Sequence, residues 1–336
     1  MSYSTIGDLR QHLLTSQSNT RLKTELNTLV EELTSGEHSD LTKHLGSSQT
    51  SLNGLDRRLT LLEKYEQVNT QTSQMLSTMQ SVLDNVDEQR SSTNETMLTI
   101  NEASSLSQMS NASDAARLGF EAAVSALNTR YGDRSLFGGT NLDGASLASA
   151  DTMLADLQTV VSGLTTAADV SVAIDTWFED AGGGFETVGY QGDATGYIER
   201  SLDTNHSVSV SARADDVAIR GTLKALAKGV FATASSVNFN INESRNLQQI
   251  SAGELLNSAE MMANFQANLG FIEGRVEEAT VRNTAQQTSF GIARNELVSA
   301  DPFETASQLE SVQLQLETQY TLTARLSRLS LTEYLR

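Results

Sequence analysis

The chain has no cysteine, one proline and one tryptophan in 336 residues. Without a thiol there can be no disulfide, no thiolate metal site and no cysteine nucleophile. A single proline beside 22 glycines is a poor match to a loop-rich enzyme or an all-β sandwich, both of which lean on turn-setting prolines. Lysine is scarce too: Lys23, Lys43, Lys64, Lys224 and Lys228 are scattered along a chain of net charge -19. That excludes the basic stripe of a nucleic-acid binder and the cationic face of a peripheral membrane helix. No stretch of 18 apolar residues occurs, and Met1–Arg10 has no basic segment leading into an apolar run. The sequence therefore predicts neither a membrane span nor a cleavable secretory signal.

What is present is uncharged polarity. Forty Ser, 35 Thr, 20 Asn and 20 Gln accompany only 38% hydrophobic and 19% charged residues. Glycine is unevenly placed. Sixty-four residues between Gly54 and Gly119 contain neither Gly nor Pro, whereas 13 glycines fall between Gly132 and Gly229. Helix breakers are thus concentrated in the middle, and both flanks are free to form long helices.

The flanks also carry a helical period. Leu55, Leu62, Leu76 and Leu83 keep a seven-residue register, with Leu59, Met79 and Val86 beside them. Asn69 fills the missing heptad position, where a polar residue weakens a coiled coil but can specify it. The run 104–114 reads as a break, followed by a second helix to about Arg130. Leu255, Met262, Leu269, Ile272 and Val276 repeat the stripe near the other end, and Leu309, Val312, Leu316 and Tyr320 mark a last helix. Asp301-Pro302 predicts an Asp cap with proline in the first helical position. Between the flanks, Asp151–Val161 and Val170–Phe178 read as short helices. Residues 188–213 read as short strands joined by Gly-Asp turns, and Asp215–Phe231 as another helix that Asp215 could cap. The fold class expected is mainly α: N- and C-terminal helices paired in a coiled-coil rod, with an inserted small α/β domain. The corresponding domains are 1–45 with 300–336, 46–149 with 236–299, and an inserted outer domain at 150–235 with its own core.

Catalytic chemistry has little to stand on. His38 and His44 flank Asp40 and could form a metal pair, but no ligand spacing of the HExxH kind occurs, and a solvated loop is the simpler reading. There is no GxSxG elbow. Gly138-Gly139 and Gly182-Gly183-Gly184 lack phosphate-loop spacing, and the second reads as a flexible linker. Glu277, Glu278, Asp215 and Asp216 read as solvated helix faces. No enzyme, cofactor or metal is expected. The terminal stripes admit two readings: a coiled-coil core within one chain, or a surface satisfied only by neighbouring subunits.

The last residues bear on that choice. Leu309–Glu317 followed by Thr323-Ala324-Arg325-Leu326-Ser327-Arg328-Leu329-Ser330-Leu331-Thr332-Glu333-Tyr334-Leu335 resembles the C-terminal helix of the flagellar hook-associated protein 3 family. These are the FlgL-type hook–filament junction proteins, relatives of flagellin. Leu33-Thr34-Ser35-Gly36, Leu136-Phe137-Gly138-Gly139-Thr140 and Tyr190-Gln191-Gly192-Asp193 resemble further family segments. The resemblance spans roughly 1–140 and 240–336. Where the family carries a basic pair and Asp-Asp-Pro after the first glycine, this chain has Glu37-His38-Ser39-Asp40-Leu41.

The resemblance implies a structural junction protein of the bacterial flagellum, exported through the flagellar type III channel and located outside the cell. Implied partners are further copies of itself in a ring or layer, hook-associated protein 1 on the hook side, flagellin on the filament side, and an export chaperone. Nucleic acid and membrane are not among them. The expected subunit-interface residues are Ile6, Leu9, Leu13, Leu26, Leu29, Leu309, Val312, Leu316, Tyr320, Leu326, Leu329, Leu331, Tyr334 and Leu335. The alternatives are a flagellin filament subunit, a cytoplasmic coiled-coil signalling rod, and a secreted enzyme on a helical scaffold.

Overall fold

The computed structural model describes residues 6–141 and 143–334, with side chains from Arg10 to Arg325 apart from Gln11 and Leu142. The fold is mainly α. Its helices are α1 (Ile6–Ser35), α2 (Leu41–Leu45), α3 (Gln49–Leu98), α4 (Leu106–Leu127), α5 (Ala150–Val161), α6 (Ala167–Glu179), α7 (Val217–Phe231), α8 (Ile241–Val298) and α9 (Pro302–Tyr334). Two small antiparallel hairpins complete it: β1 (Arg130–Tyr131) with β2 (Arg134–Ser135), and β3 (Ile198–Ser201) with β4 (Ser207–Val210). The stretch 55–118 that lacks Gly and Pro became most of α3 and the start of α4, whereas α8 runs through Gly253, Gly270, Gly274 and Gly291. The chain divides into two compact units, 1–62 with 285–336 and 63–284.

In the terminal unit, α1 and α9 pair antiparallel. The first helix ends where Gly36 takes φ 74°, a left-handed conformation that suits glycine. The loop beyond it pairs with the connection between α8 and α9. Ala300 N–H donates to the Gly36 carbonyl (2.9 Å) and His38 N–H to the Val298 carbonyl (2.9 Å), around a bridge of Glu37 with Ser299. Asp301 accepts from the Phe303 N–H at 2.8 Å, so Pro302 opens α9 without an unsatisfied amide. Arg294 on α8 reaches both Glu37 (3.0 Å) and Asp56 on α3 (3.1 Å).

In the 63–284 unit, α3 and α8 run antiparallel. Arg90 donates to the Leu255 carbonyl (2.9 Å), and Gln80 to that of Gln266 (3.0 Å). Between them lies one apolar core: Leu76, Met79, Leu83 and Val86 of α3 with Leu255, Met262, Leu269 and Val276 of α8. The helix α4 joins this core through Met109, Ala112, Ala116 and Phe120. It begins at Leu106, inside the run expected to be a break. A reciprocal capping box explains why: Ser105 accepts from the Gln108 N–H, and the Gln108 side chain accepts from the Ser105 N–H at 2.8 Å. Small residues then let α4 approach its neighbours. A Cβ at Gly119 would sit 2.7 Å from Thr93 Oγ1.

Residues 150–235 do not keep a core to themselves. Ile219, Leu223 and Leu226 of α7 belong to the same cluster as α3, α4 and α8, and Gly229 leaves room for the Met97 side chain. Ser251 of α8 donates to the Ala225 carbonyl of α7 at 2.7 Å. The cap of α7 is Asp216, which accepts from Ala218 N–H; Asp215 instead pairs with Arg213 at 2.7 Å. The β3–β4 turn is Leu202–His206 and contains no glycine. Gly182–Gly184 is no flexible linker either. Gly184 lies against the Trp177 indole so closely that a Cβ would overlap the ring, and Trp177 Nε1 donates to Asp156 at 2.7 Å. Phe178 and Phe185 stack beside it at 5.4 Å.

Candidate functional site

The terminal pair of helices, 30 and 33 residues long, packs through a small apolar cluster. Among the described side chains it consists of buried Leu22, Leu29, Val312 and Leu316, with Leu26 and Leu309 packed beside them. Polar contacts finish the pairing: Gln319 donates to the Thr15 carbonyl at 3.1 Å, and the Lys23 ammonium lies 5.9 Å from the Tyr320 ring centroid. Further apolar residues of the pair stay in solvent. Leu13, Leu14, Val30 and Leu33 of α1 are exposed, as are Leu314 (65%) and Leu322 of α9. Exposed large apolar side chains gathered on one helix pair are the usual mark of an interaction surface.

The structure thus sorts the residues expected at an interface. Leu26, Leu29, Leu309, Val312 and Leu316 come together inside the chain. Leu13 and Tyr320 are half-exposed, at 53% and 49%. Leu335 and the side chains of Ile6, Leu9, Leu326, Leu329, Leu331 and Tyr334 lie outside the described residues. Sequence periodicity missed Leu22, which falls four residues before Leu26 and completes the same stripe. Of the exposed apolar residues it named Leu13 but not Leu14, Val30, Leu33, Leu314 or Leu322, because a heptad cannot say which apolar residues the chain will cover by itself.

Charge divides along the same line. The terminal unit holds ten Lys and Arg against thirteen Asp and Glu, while 63–284 holds thirteen against twenty-nine. Like-charge repulsion therefore opposes association of the 63–284 unit far more than of the terminal unit.

Groups with other chemistry are occupied locally. His38 and His44 stack at 3.8 Å between ring centroids, with Glu32 Oε1 3.5 Å from His38 Nδ1. Asp40, between them in sequence, caps α2 through the Lys43 N–H (3.0 Å). Among the described residues no group of three His, Asp or Glu is arranged to hold a metal. A cleft of about 290 Å³ between α4, α5 and the end of α7 is lined by Ser110, Asp114, Arg117 and Gln158. Its arginine is already paired with Glu121 (2.9 Å) and Asp151 (3.1 Å). Glu277 and Glu278 are exposed on α8. No described helix is long and apolar enough to cross a membrane.

Two of the short segments quoted above meet in space. Asp193 N–H donates to the Gly138 carbonyl (2.9 Å), the Thr140 hydroxyl donates to the Asp193 carboxylate, and Ala214 N–H donates to the Phe137 carbonyl (2.9 Å). Gly139, at φ 66°, has the Asp193 carbonyl where a Cβ would point. The Thr140 hydroxyl first, then the Thr195 amide and hydroxyl, hold the Asp193 carboxyl down at about 2. Leu136–Thr140 and Tyr190–Asp193 are therefore two halves of one loop contact.

Residues 254–335 match the bacterial flagellin C-terminal helical region. No curated protein sequence matches the chain. Among solved structures, a Vibrio parahaemolyticus protein described as a flagellar hook-associated protein aligns with a TM-score of 0.52 at 11% identity. That alignment covers 74% of this chain and 97% of the other. FlgL of Bacillus cereus aligns with a TM-score of 0.51 at 11% identity, over 73% of this chain and 99% of its own. At that identity the likeness is one of fold. Residues 254–335 thus resemble the C-terminal helical region of bacterial flagellins, and the fold of the chain is similar to that of the two flagellar hook-associated structures.

Proposed function

We propose that the chain is a structural subunit of the bacterial flagellum, a junction protein joining the hook-side adapter layer to the flagellin filament. The observation that carries this reading is the pair α1/α9, which buries one apolar stripe internally and leaves further large apolar side chains exposed, on the unit of smaller net charge. A subunit working alone has no use for those exposed side chains; a subunit packed in a layer covers them with its neighbours. The interface residues on this reading are Leu13 and Tyr320 with the remaining terminal positions Ile6, Leu9, Leu326, Leu329, Leu331, Tyr334 and Leu335. Leu26, Leu29, Leu309, Val312 and Leu316 hold the pair that presents them. Partners are further copies of the chain, hook-associated protein 1, flagellin and an export chaperone. The route out of the cell is the flagellar type III channel.

The flagellin match at 254–335 favours one second reading, a filament subunit. One experiment separates the two. Cells lacking the gene are viewed by electron microscopy, and sheared wild-type flagella are analysed by quantitative mass spectrometry. A junction protein leaves bare hooks with flagellin released to the medium, and is a trace component of sheared flagella. A filament subunit is the bulk component. Normal filaments on cells lacking the gene would end both readings.

A further inference from the structure

Two asparagines, 214 positions apart, donate to one backbone carbonyl. Asn69 Nδ2 on α3 lies 3.2 Å from the Leu202 oxygen, and Asn283 Nδ2 on α8 lies 2.9 Å from it. All three residues are buried. Each asparagine stands at a core heptad position of its helix. Asn69 interrupts the series Leu62, Leu76, Leu83, and Asn283 extends the series Leu255, Met262, Leu269, Val276. The heptad positions Leu76 and Leu83 of α3 and Leu255 to Val276 of α8 are apolar, and both seams turn polar beside Leu202, at the mouth of the β3–β4 turn.

We infer that the Leu202 carbonyl, gripped by Asn69 and Asn283, is a clasp that fixes the axial register of α3 against α8. A carbonyl oxygen accepts two hydrogen bonds, so one donor from each helix fills it. Apolar heptads alone tolerate sliding, because a shift of about 5.4 Å along a helix presents another turn of similar side chains. With the clasp in place, such a shift takes one amide off the carbonyl and leaves it buried without a partner, the costly outcome for a polar group. Retention of the asparagines has a cost already: Oδ1 of each is buried without a hydrogen-bond partner. A buried polar group kept at such a cost in a helical seam is best attested as a register device. The hairpin is tied to the same place twice more, by Arg282 to Asp203 (3.3 Å) and Arg275 to the Ser207 carbonyl (3.3 Å), both from α8. Asp203 in turn holds His206 at 2.8 Å, which keeps the turn closed. The clasp lies wholly within 63–284 and does not depend on the flagellar reading.

The test exploits the absence of native cysteine. Spin labels are placed at Ser77→Cys on α3 and Glu277→Cys on α8, both exposed, and the distance distribution is measured in the full chain. The parent protein is expected to give one narrow peak. In the double variant Asn69→Leu with Asn283→Leu, leucine restores the apolar heptads. Helicity should then persist while a second peak, displaced by roughly one helical turn, appears. Amide exchange in 198–210 should quicken about tenfold or more once both donors are gone. A single unchanged peak together with unchanged hairpin exchange overturns the proposal. If the double variant does not fold, Asn69→Leu alone is used, with Asn283 still in place. Quicker hairpin exchange in it supports the clasp, and exchange equal to the parent's overturns it.

Discussion

Lys228, fully buried on α7, places its ammonium 2.5 Å from Glu254 Oε1 on α8. The same ammonium lies 2.6 Å from Asp175 on α6, where Lys224 also arrives at 3.1 Å. One cation thus ties three helices, and its two carboxylates keep contact with water, being 33% and 28% exposed. Lys228→Met keeps the length of the stem and removes the charge. Breaking a fully buried pair costs about 3–5 kcal/mol. Partly wet carboxylates and the remaining Lys224 contact bring the expected loss to roughly 2–3 kcal/mol. Calorimetry should show a melting point lowered by about 4–12 °C; an unchanged value refutes the assignment.

The loop contact around Asp193 predicts an acid response. Its carboxyl is held at about 2, below the ordinary aspartate value of 3.8, chiefly by the Thr140 hydroxyl. A depressed carboxyl contributes stability above the unfolded value, and that contribution is lost as pH falls through the folded one. The contact of 193–196 with 138–140 should accordingly hold above pH 4 and loosen between about 4 and 2. Carbon-detected NMR titration of the Asp193 carboxyl measures this directly. In Asp193→Asn the acid-induced change at Gly138–Thr140 should vanish.

Gly184 offers a fluorescent readout, since Trp177 is the sole tryptophan. Gly184→Ala drives a methyl into the indole. The ring must leave its place on Asp156 and the Phe178–Phe185 stack, at an overpacking cost of about 1–3 kcal/mol. Red-shifted emission at full helicity is the expected result. Parent-like emission would mean that the packing around Gly184 is looser than described.

The buried stripe and the exposed apolar residues of the terminal pair can be separated by substitution. Leu316→Ala removes a buried group between α1 and α9 and should cost about 2–4 kcal/mol in the stability of that pairing. Leu314→Glu changes an exposed position and should leave the isolated chain unaltered by circular dichroism. It should still abolish motility in cells lacking the native gene, because a carboxylate cannot be buried unpaired in an assembly contact. Full motility of Leu314→Glu removes α9 from the proposed interface.

Much of this architecture was legible in the chain. Breaker spacing located α3, the apolar period from Leu255 to Val276 located α8, the Asp301-Pro302 pair located the start of α9, and the heptads named most of the buried stripe. The failures share a cause. At 104–114 the Ser-rich composition suggested a break, whereas Ser105 and Gln108 form a cap, and composition does not distinguish a cap from a loop. Gly182–Gly184 looked flexible because the absence of a side chain permits both freedom and close packing, and only Trp177 decides between them. Asn69 was visible as a polar heptad position, but its partner Leu202 contributes a backbone oxygen, to which a sequence pattern is blind. The candidate site was half legible: heptads give an apolar face, and only the packed structure shows which face is left over.

The tie between Gly36–His38 and Val298–Ala300 has a kinetic consequence. Without it, α1 and α9 must find each other across a loop of about 260 residues, and the entropy of closing that loop opposes the first contact. Once those backbone hydrogen bonds form, the two helices leave from adjacent points, and their encounter resembles the closing of a short hairpin. Their effective concentration is then set by the tie rather than by the length of the intervening chain. The terminal pair should therefore be the last part of the molecule to fold and the first to open. That is a suitable order for helices whose exposed apolar residues are proposed to be covered by a neighbour.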